Sequence, residues 1–138
     1  EIEAHGVDVA DSLESLLEAS DFVSLHMRIS SDTHHMIDAE ALRRMKPTAY
    51  LVNTARADLV DEEALVDALR DHRIGGAAID VYAEEPIGTD HPYLSLDNVT
   101  LVSHLAGTSA DTMQTSVEIG FEDLEAYLKG EELINRRA

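Results

Sequence analysis

A chain of 138 residues with 44% hydrophobic content is one domain's worth of polypeptide with enough apolar material for a real core. Its 10 basic and 28 acidic residues give a net charge of −18, which leaves no basic face for nucleic acid or an anionic membrane. It has no cysteine, so disulfides and thiolate metal sites are out of reach. No apolar run approaches the roughly 20 residues that span a bilayer. The opening Glu1-Ile-Glu-Ala-His5 lacks the basic start and apolar centre of a signal peptide, so the expectation is a cytoplasmic protein. The acids are spread along the whole chain rather than gathered in a tail. That distribution points to a salt-rich cytoplasm, where a Debye length of roughly 3 Å at about 1 M salt screens self-repulsion.

In chain order, Gly6–Ala10 is expected to be a short strand. Asp11 and Glu14, three residues apart, mark a helix start, and Leu13, Leu16 and Leu17 share one face of a helix over 12–19. Residues 21–26 form a second strand, and 27–33 a polar loop at its carboxyl end. A helix from Asp38 to Met45 takes Asp38 as its N-cap and ends before Pro47; Arg43, Arg44 and Lys46 suit its negative end. The stretch Ala49–Val52 is an apolar strand that runs through Asn53, Thr54 and Ala55 to Arg56. A helix over 61–70 follows, with Leu65 and Leu69 as its buried stripe. Gly75 and Gly76 then break into a strand over 76–81, and 84–97 reads as a surface loop. The strand Val99–Ser103 leads to His104. The longest helix is expected over 109–129, stopped by Gly130, with Met113, Val117, Phe121, Leu124 and Leu128 near the helical period. The tail 131–138 is polar.

Strands and helices alternate at βαβ spacing, and the strands read as continuous apolar runs. The expectation is therefore an α/β domain with a parallel sheet and helices on both faces. Ligands of such sheets bind in the crevice beyond the carboxyl ends of the strands. Three strands deliver polar residues there: Arg56, Glu84-Glu85 before Pro86, and His104. An isolated arginine is more often in a surface salt bridge, here with Asp58 or Asp61. At a strand end it is also a planar fork for a carboxylate. His104 is either a satisfied strand-end histidine or a proton donor and acceptor near neutral pH, and the following Leu105-Ala-Gly107 lets a flat ligand come close. Glu85 is either part of a solvated acidic loop or a carboxylate that orients the imidazole and stabilises its charged form. Asp80, in an otherwise apolar strand, needs donors, from a ligand amide or from neighbouring backbone. Metal chemistry is not expected: the adjacent His34 and His35 should diverge, and neither an HExxH helix nor a Gly-x-Ser-x-Gly turn occurs.

With these residues in place the chain resembles the D-isomer-specific 2-hydroxyacid dehydrogenases, the family of phosphoglycerate dehydrogenase and the glyoxylate/hydroxypyruvate reductases. The motifs that carry the likeness run nearly end to end. They are Asp21-Phe-Val-Ser-Leu-His26, Met45-Lys-Pro47, Leu51-Val-Asn-Thr-Ala-Arg56, Leu59-Val-Asp-Glu-Glu-Ala-Leu65, Gly76-Ala-Ala-Ile-Asp-Val-Tyr82 with Glu84-Glu-Pro86, and Asp97-Asn-Val99 followed by His104. The resemblance implies a Rossmann-like, doubly wound parallel sheet, present as its carboxyl-terminal half over 1–130, with 109–129 as the return helix and 131–138 as a stub of a substrate domain. It implies NAD, or NADP, as cofactor and a small 2-keto or 2-hydroxy acid as substrate. Arg56 would bind the substrate carboxylate, His104 would be the acid/base, and Glu85 its partner. Thr54, Ala55, Arg56, Asp80, His104 and Gly107 would contact the cofactor, with Asp80 on the nicotinamide carboxamide. A homodimer is implied for the full-length enzyme.

Two departures stand out. Ala57-Asp58 occupies the place where the family has glycine after the arginine, and Met27-Arg28 replaces the proline after the Leu-His strand end. No Gly-x-Gly-x-x-Gly occurs in these residues, so the chain alone is expected to bind dinucleotide poorly. A non-catalytic, dinucleotide-dependent interaction module and an inactive truncated remnant share the same fold.

Overall fold

The computed structural model describes residues 6–133, and two units emerge, residues 1–104 and 105–138. The first holds a four-stranded sheet in the order β1 (Phe22–Leu25), β2 (Tyr50–Asn53), β3 (Gly76–Ile79), β4 (Val99–Leu101). Every neighbouring pair is parallel, with Leu25 beside Asn53, Asn53 beside Ile79, and Ile79 beside Leu101. This is the α/β parallel sheet that the strand spacing calls for, with the Rossmann-like fold that the resemblance implies.

The helices form where their caps say. In α2 (Ala39–Arg44) the Asp38 carboxylate accepts from the N–H groups of Glu40 and Ala41, each at 2.9 Å. In α3 (Glu62–Arg70) Asp61 accepts from Ala64 at 3.1 Å. The first helix, α1 (Leu13–Ala19), is capped one residue later than Asp11: Ser12 and Ser15 form a reciprocal capping box. A hydroxyl here takes the role expected of the acid, because it sits where the backbone is extended and can reach the N3 amide.

The three helices bury their apolar stripes in one core with Val23, Leu25, Leu51, Ala77 and Ile79. Leu65 and Leu69 are fully buried, as expected, whereas Leu16 remains largely exposed. β1 and β2 alternate between buried and more exposed positions, whereas the small residues of β3 are buried or half-buried throughout. The opposite face, with Phe22 72% exposed and Tyr50 stacked on it at 5.7 Å, has none of these three helices over it. The continuous apolar reading fails here because small and aromatic residues look alike on either face of a short strand.

The strand expected at Gly6–Ala10 does not form. Residues 7–10 have no regular structure, and Val7 and Val9 are exposed. Apolar alternation needs a neighbouring strand to take its hydrogen bonds, and no ladder reaches them. At the start of β3, glycine is required by close approach. A Cβ on Gly76 would stand 2.6 Å from the Asn98 carbonyl, and one on Gly75 would stand 2.9 Å from that of Thr48. The expected loop 84–97 contains a 3-10 turn, Pro92–Ser95, that buries Tyr93; burial holds that phenol protonated well above its ordinary range.

The second unit is a single long helix, α4 (Ala110–Lys129), capped by Ser109 and closed by Gly130 in the left-handed conformation at φ 72°. Its Met113, Val117, Phe121, Leu124 and Leu128 are exposed. Residues 134–138 of the polar tail lie outside the described residues. Among the described residues no helix is long and apolar enough to cross a membrane.

Candidate active site

Arg56, Asp80, Glu85 and His104 follow the carboxyl ends of three adjacent parallel strands, so they belong to one rim of one sheet. After β2, Asn53 shapes the turn. This buried side chain, 2% exposed, donates to the Arg56 carbonyl at 2.9 Å and accepts from Ala55 N–H at 3.1 Å. Thr54 is exposed on the turn. Arg56 then starts a 3-10 turn, Ala57–Leu59, in an extended conformation. Its guanidinium folds back, Nη1 donating to the Ala55 carbonyl at 2.5 Å. The expected alternative, an ion pair with Asp58 or Asp61, is not made: Asp61 caps α3. Among the described residues every lysine and arginine other than Arg28 and Arg56 is in an ion pair. Both exceptions lie just past the carboxyl end of a strand, and in so acidic a chain that is a cue composition alone could not give.

After β3 comes Asp80, 3% exposed, whose N–H donates to the Asn53 carbonyl at 3.0 Å and so ties the ends of β2 and β3. Tyr82 follows. Its N–H donates to Glu85 Oε1 at 3.0 Å, and its hydroxyl lies 2.7 Å from the Val102 carbonyl and 3.1 Å from that of Ile79. The Glu85–Pro86 peptide is cis.

After β4 the chain reaches His104, whose Nδ1 lies 2.9 Å and 3.0 Å from the two Glu85 carboxylate oxygens. The solvated-loop alternative for Glu85 is therefore not what its carboxylate does, although Glu84 is exposed. The contact with His104, and next the Tyr82 N–H, hold the Glu85 carboxyl below the usual carboxylate range. With Nδ1 facing a carboxylate, Nδ1 carries the proton, and Nε2 is left for another group. His104 has φ 55°, a left-handed backbone that costs a non-glycine residue on the order of 1–3 kcal/mol and gathers at functional positions. The pair opens onto a groove of about 680 Å³ whose other walls are apolar, among them Ile87, Leu94 and Leu101.

Gly107 belongs to the second unit, where a Cβ in its place would meet nothing within 4 Å. His34 and His35 do not diverge: their rings stack with centroids 3.9 Å apart. The left-handed backbone of His35, φ 51°, turns the pair back on itself, and its N–H donates to the Asp58 carbonyl at 2.8 Å. No group of three or more potential ligands for a metal occurs among the described residues. Sequence reading missed Asn53 and Tyr82; the Asn-x-x-Arg spacing of an Asx turn was the available signal for the first.

Asp80 is a buried carboxylate on the same rim as the exposed turn at Thr54 and the His104–Glu85 pair. A glycine-rich pyrophosphate cradle is not among these residues.

Residues 1–106 match the D-isomer specific 2-hydroxyacid dehydrogenase, NAD binding domain. The glyoxylate reductase of Thermofilum pendens is 48% identical over 119 residues, which are 86% of this chain and 35% of that protein. The solved D-mandelate dehydrogenase of Rhodotorula graminis superposes with a TM-score of 0.89 at 30% identity, covering 99% of this chain and 40% of that one. The NADPH-dependent glyoxylate/hydroxypyruvate reductase of Sinorhizobium meliloti, solved with NADP and malonate, gives 0.82 at 30% identity, covering 94% and 43%. The chain spans a little over a third of the length of the curated relatives it matches. NAD or NADP is the cofactor consistent with this match. The chain belongs to the D-isomer specific 2-hydroxyacid dehydrogenase family, through its NAD-binding domain.

Proposed function

We propose that this chain is the nucleotide-binding segment of an NAD(P)-dependent enzyme that reduces 2-keto acids to D-2-hydroxy acids and runs in reverse. The observation that carries this reading is the His104–Glu85 pair on the rim where, among the described residues, Arg56 has no carboxylate partner. In the reducing direction Arg56 grips the substrate carboxylate through two parallel hydrogen bonds and polarises the adjoining keto group. His104 gives the Nε2 proton to the keto oxygen, and the Glu85 carboxylate stabilises the ring's charge and holds its orientation. Asp80, with Thr54, Ala55 and Gly107, fixes the nicotinamide end of the cofactor. When bound, the reduced cofactor supplies hydride to the keto carbon.

On this reading residues 1–130 are part of the nucleotide-binding domain, 109–129 the return helix, and 131–138 the start of the substrate domain. The 138 residues alone are inactive, and the full-length protein is a cytoplasmic homodimer. The acid excess fits a salt-rich cytoplasm, so the unfolding temperature should rise with added KCl; a flat response would remove that part. The direct test is NADH or NADPH oxidation by the full-length protein with glyoxylate, hydroxypyruvate and other 2-keto acids. Turnover that disappears in His104→Asn supports the enzyme. Tight dinucleotide binding without turnover of any 2-keto acid would favour the non-catalytic interaction module instead.

A further inference from the structure

We propose that Tyr82 is a positioning residue that locks the Glu85 carboxylate and the His104 ring into one geometry; the role deepens the dehydrogenase reading and rests on it. Tyr82 holds both supports of the pair. Its N–H donates at 3.0 Å to Glu85 Oε1, the oxygen that also meets His104 Nδ1 at 3.0 Å. Its hydroxyl reaches the strand ends, 2.7 Å from the Val102 carbonyl and 3.1 Å from that of Ile79. A phenol has one proton, so the shorter contact is the hydrogen bond and the longer shares it. The Ile79 carbonyl also accepts from Val102 N–H at 2.9 Å. The ends of β3 and β4 are thus fastened together two residues before His104 turns left-handed.

The rest of the side chain is held too. The ring of His91 meets that of Tyr82 edge-on, with centroids 6.3 Å apart at 78°, and His91 Nδ1 accepts from Tyr93 N–H at 3.3 Å. Burial raises the Tyr82 pKa against the opposing pull of the Val102 bond, so the hydroxyl stays a donor through the neutral range. Phenylalanine would fill the same space without the hydrogen bonds, which separates the hydroxyl from the ring.

The test is Tyr82→Phe in the 138-residue chain, with the histidine ring nitrogens followed by NMR through a pH titration. The His104 midpoint should fall, because the carboxylate contact is kept for less of the time. Amide exchange at Val102 should speed up, while His26, His34, His35 and His72 keep their midpoints. Glu85→Gln is the reference and should shift His104 the same way at least as far. An unmoved His104 in Tyr82→Phe beside a shifted one in Glu85→Gln overturns the positioning role and leaves the dehydrogenase reading standing. Shifts in both, with no 2-keto acid reduced by the full-length protein, support the positioning role and overturn the dehydrogenase reading. A second measurement needs no substitution: in the wild type the Tyr82 hydroxyl proton should be protected from exchange at low temperature, and rapid exchange there overturns the proposal even if Tyr82→Phe does not fold.

Discussion

Arg56 and His104 leave the ends of strands on either side of β3 and are held in opposite ways. At Arg56 the backbone is fixed and the charge is loose. Asn53 clamps the turn from both sides, yet the guanidinium hydrogen-bonds the neighbouring Ala55 carbonyl and pairs with no carboxylate among the described residues. At His104 the side chain is fixed by Glu85 while the backbone carries the strain of φ 55°. An acid/base group benefits from a ring aimed before the reactant arrives. A carboxylate clamp needs its fork unoccupied until then. On the proposed reading, the two ends of the rim would divide preorganisation from availability.

The largest expected effect tests the loose end. In the full-length protein Arg56→Lys should raise KM for 2-keto acids by about 10- to 100-fold and change kcat less, since an ammonium cannot form the planar fork. An unchanged KM would return Arg56 to the surface. Next comes the clamp beneath it. Asn53→Ala leaves the Arg56 carbonyl and the Ala55 N–H without their partner, and should cost about 1–3 kcal/mol in urea unfolding. A neutral result would mean that water replaces the amide.

Smaller effects fall on the fixed end. Glu85→Gln removes the charge that favours the imidazolium, so the pH profile of reduction should move to more acidic pH; an unmoved profile would break the pairing. Stability should carry its own signature. The folded pKa of Glu85 lies below its ordinary value of 4.5. Its contribution is therefore complete above that value and is lost as pH falls through the lowered one. The difference in unfolding temperature between wild type and Glu85→Gln should be present at neutral pH and vanish in acid. The smallest effect is expected away from the rim. Phe121→Ala, at a position 63% exposed on α4, should change the stability of the 138-residue chain by less than about 0.5 kcal/mol.

Much of this was legible before any coordinates. The β2, β3 and β4 strands, α2, α3 and α4, and the cap at Asp38 follow from local chemistry, which acts over three or four residues. Strand-end placement left Glu85 open between a solvated loop and a partner for His104, and the motif around Tyr82 and Pro86 pointed to the partner although 19 residues separate the two. What stayed hidden depends on contacts distant in sequence. Val7 and Val9 alternate like a strand but have no neighbour. Phe22 and Tyr50 read as core but stack on the open face. The Tyr82 hydroxyl reaches a carbonyl 20 residues on. Backbone hand was hidden as well: His35 and His104 are left-handed, and nothing in a histidine announces it.

The glycine that opens β3 ties the remote edge of the sheet to its chemistry. Any side chain at Gly76 would drive into the Asn98 carbonyl, which also receives the Ala77 N–H at 3.0 Å. A strand is stiff along its length, so a push on its first residue travels to its last; β4 from Val99 to Leu101 is only about 7–10 Å long. Alanine at position 76 should therefore register as a misaligned imidazole at the opposite end, so the aim of His104 depends on a residue with no side chain and no chemistry of its own.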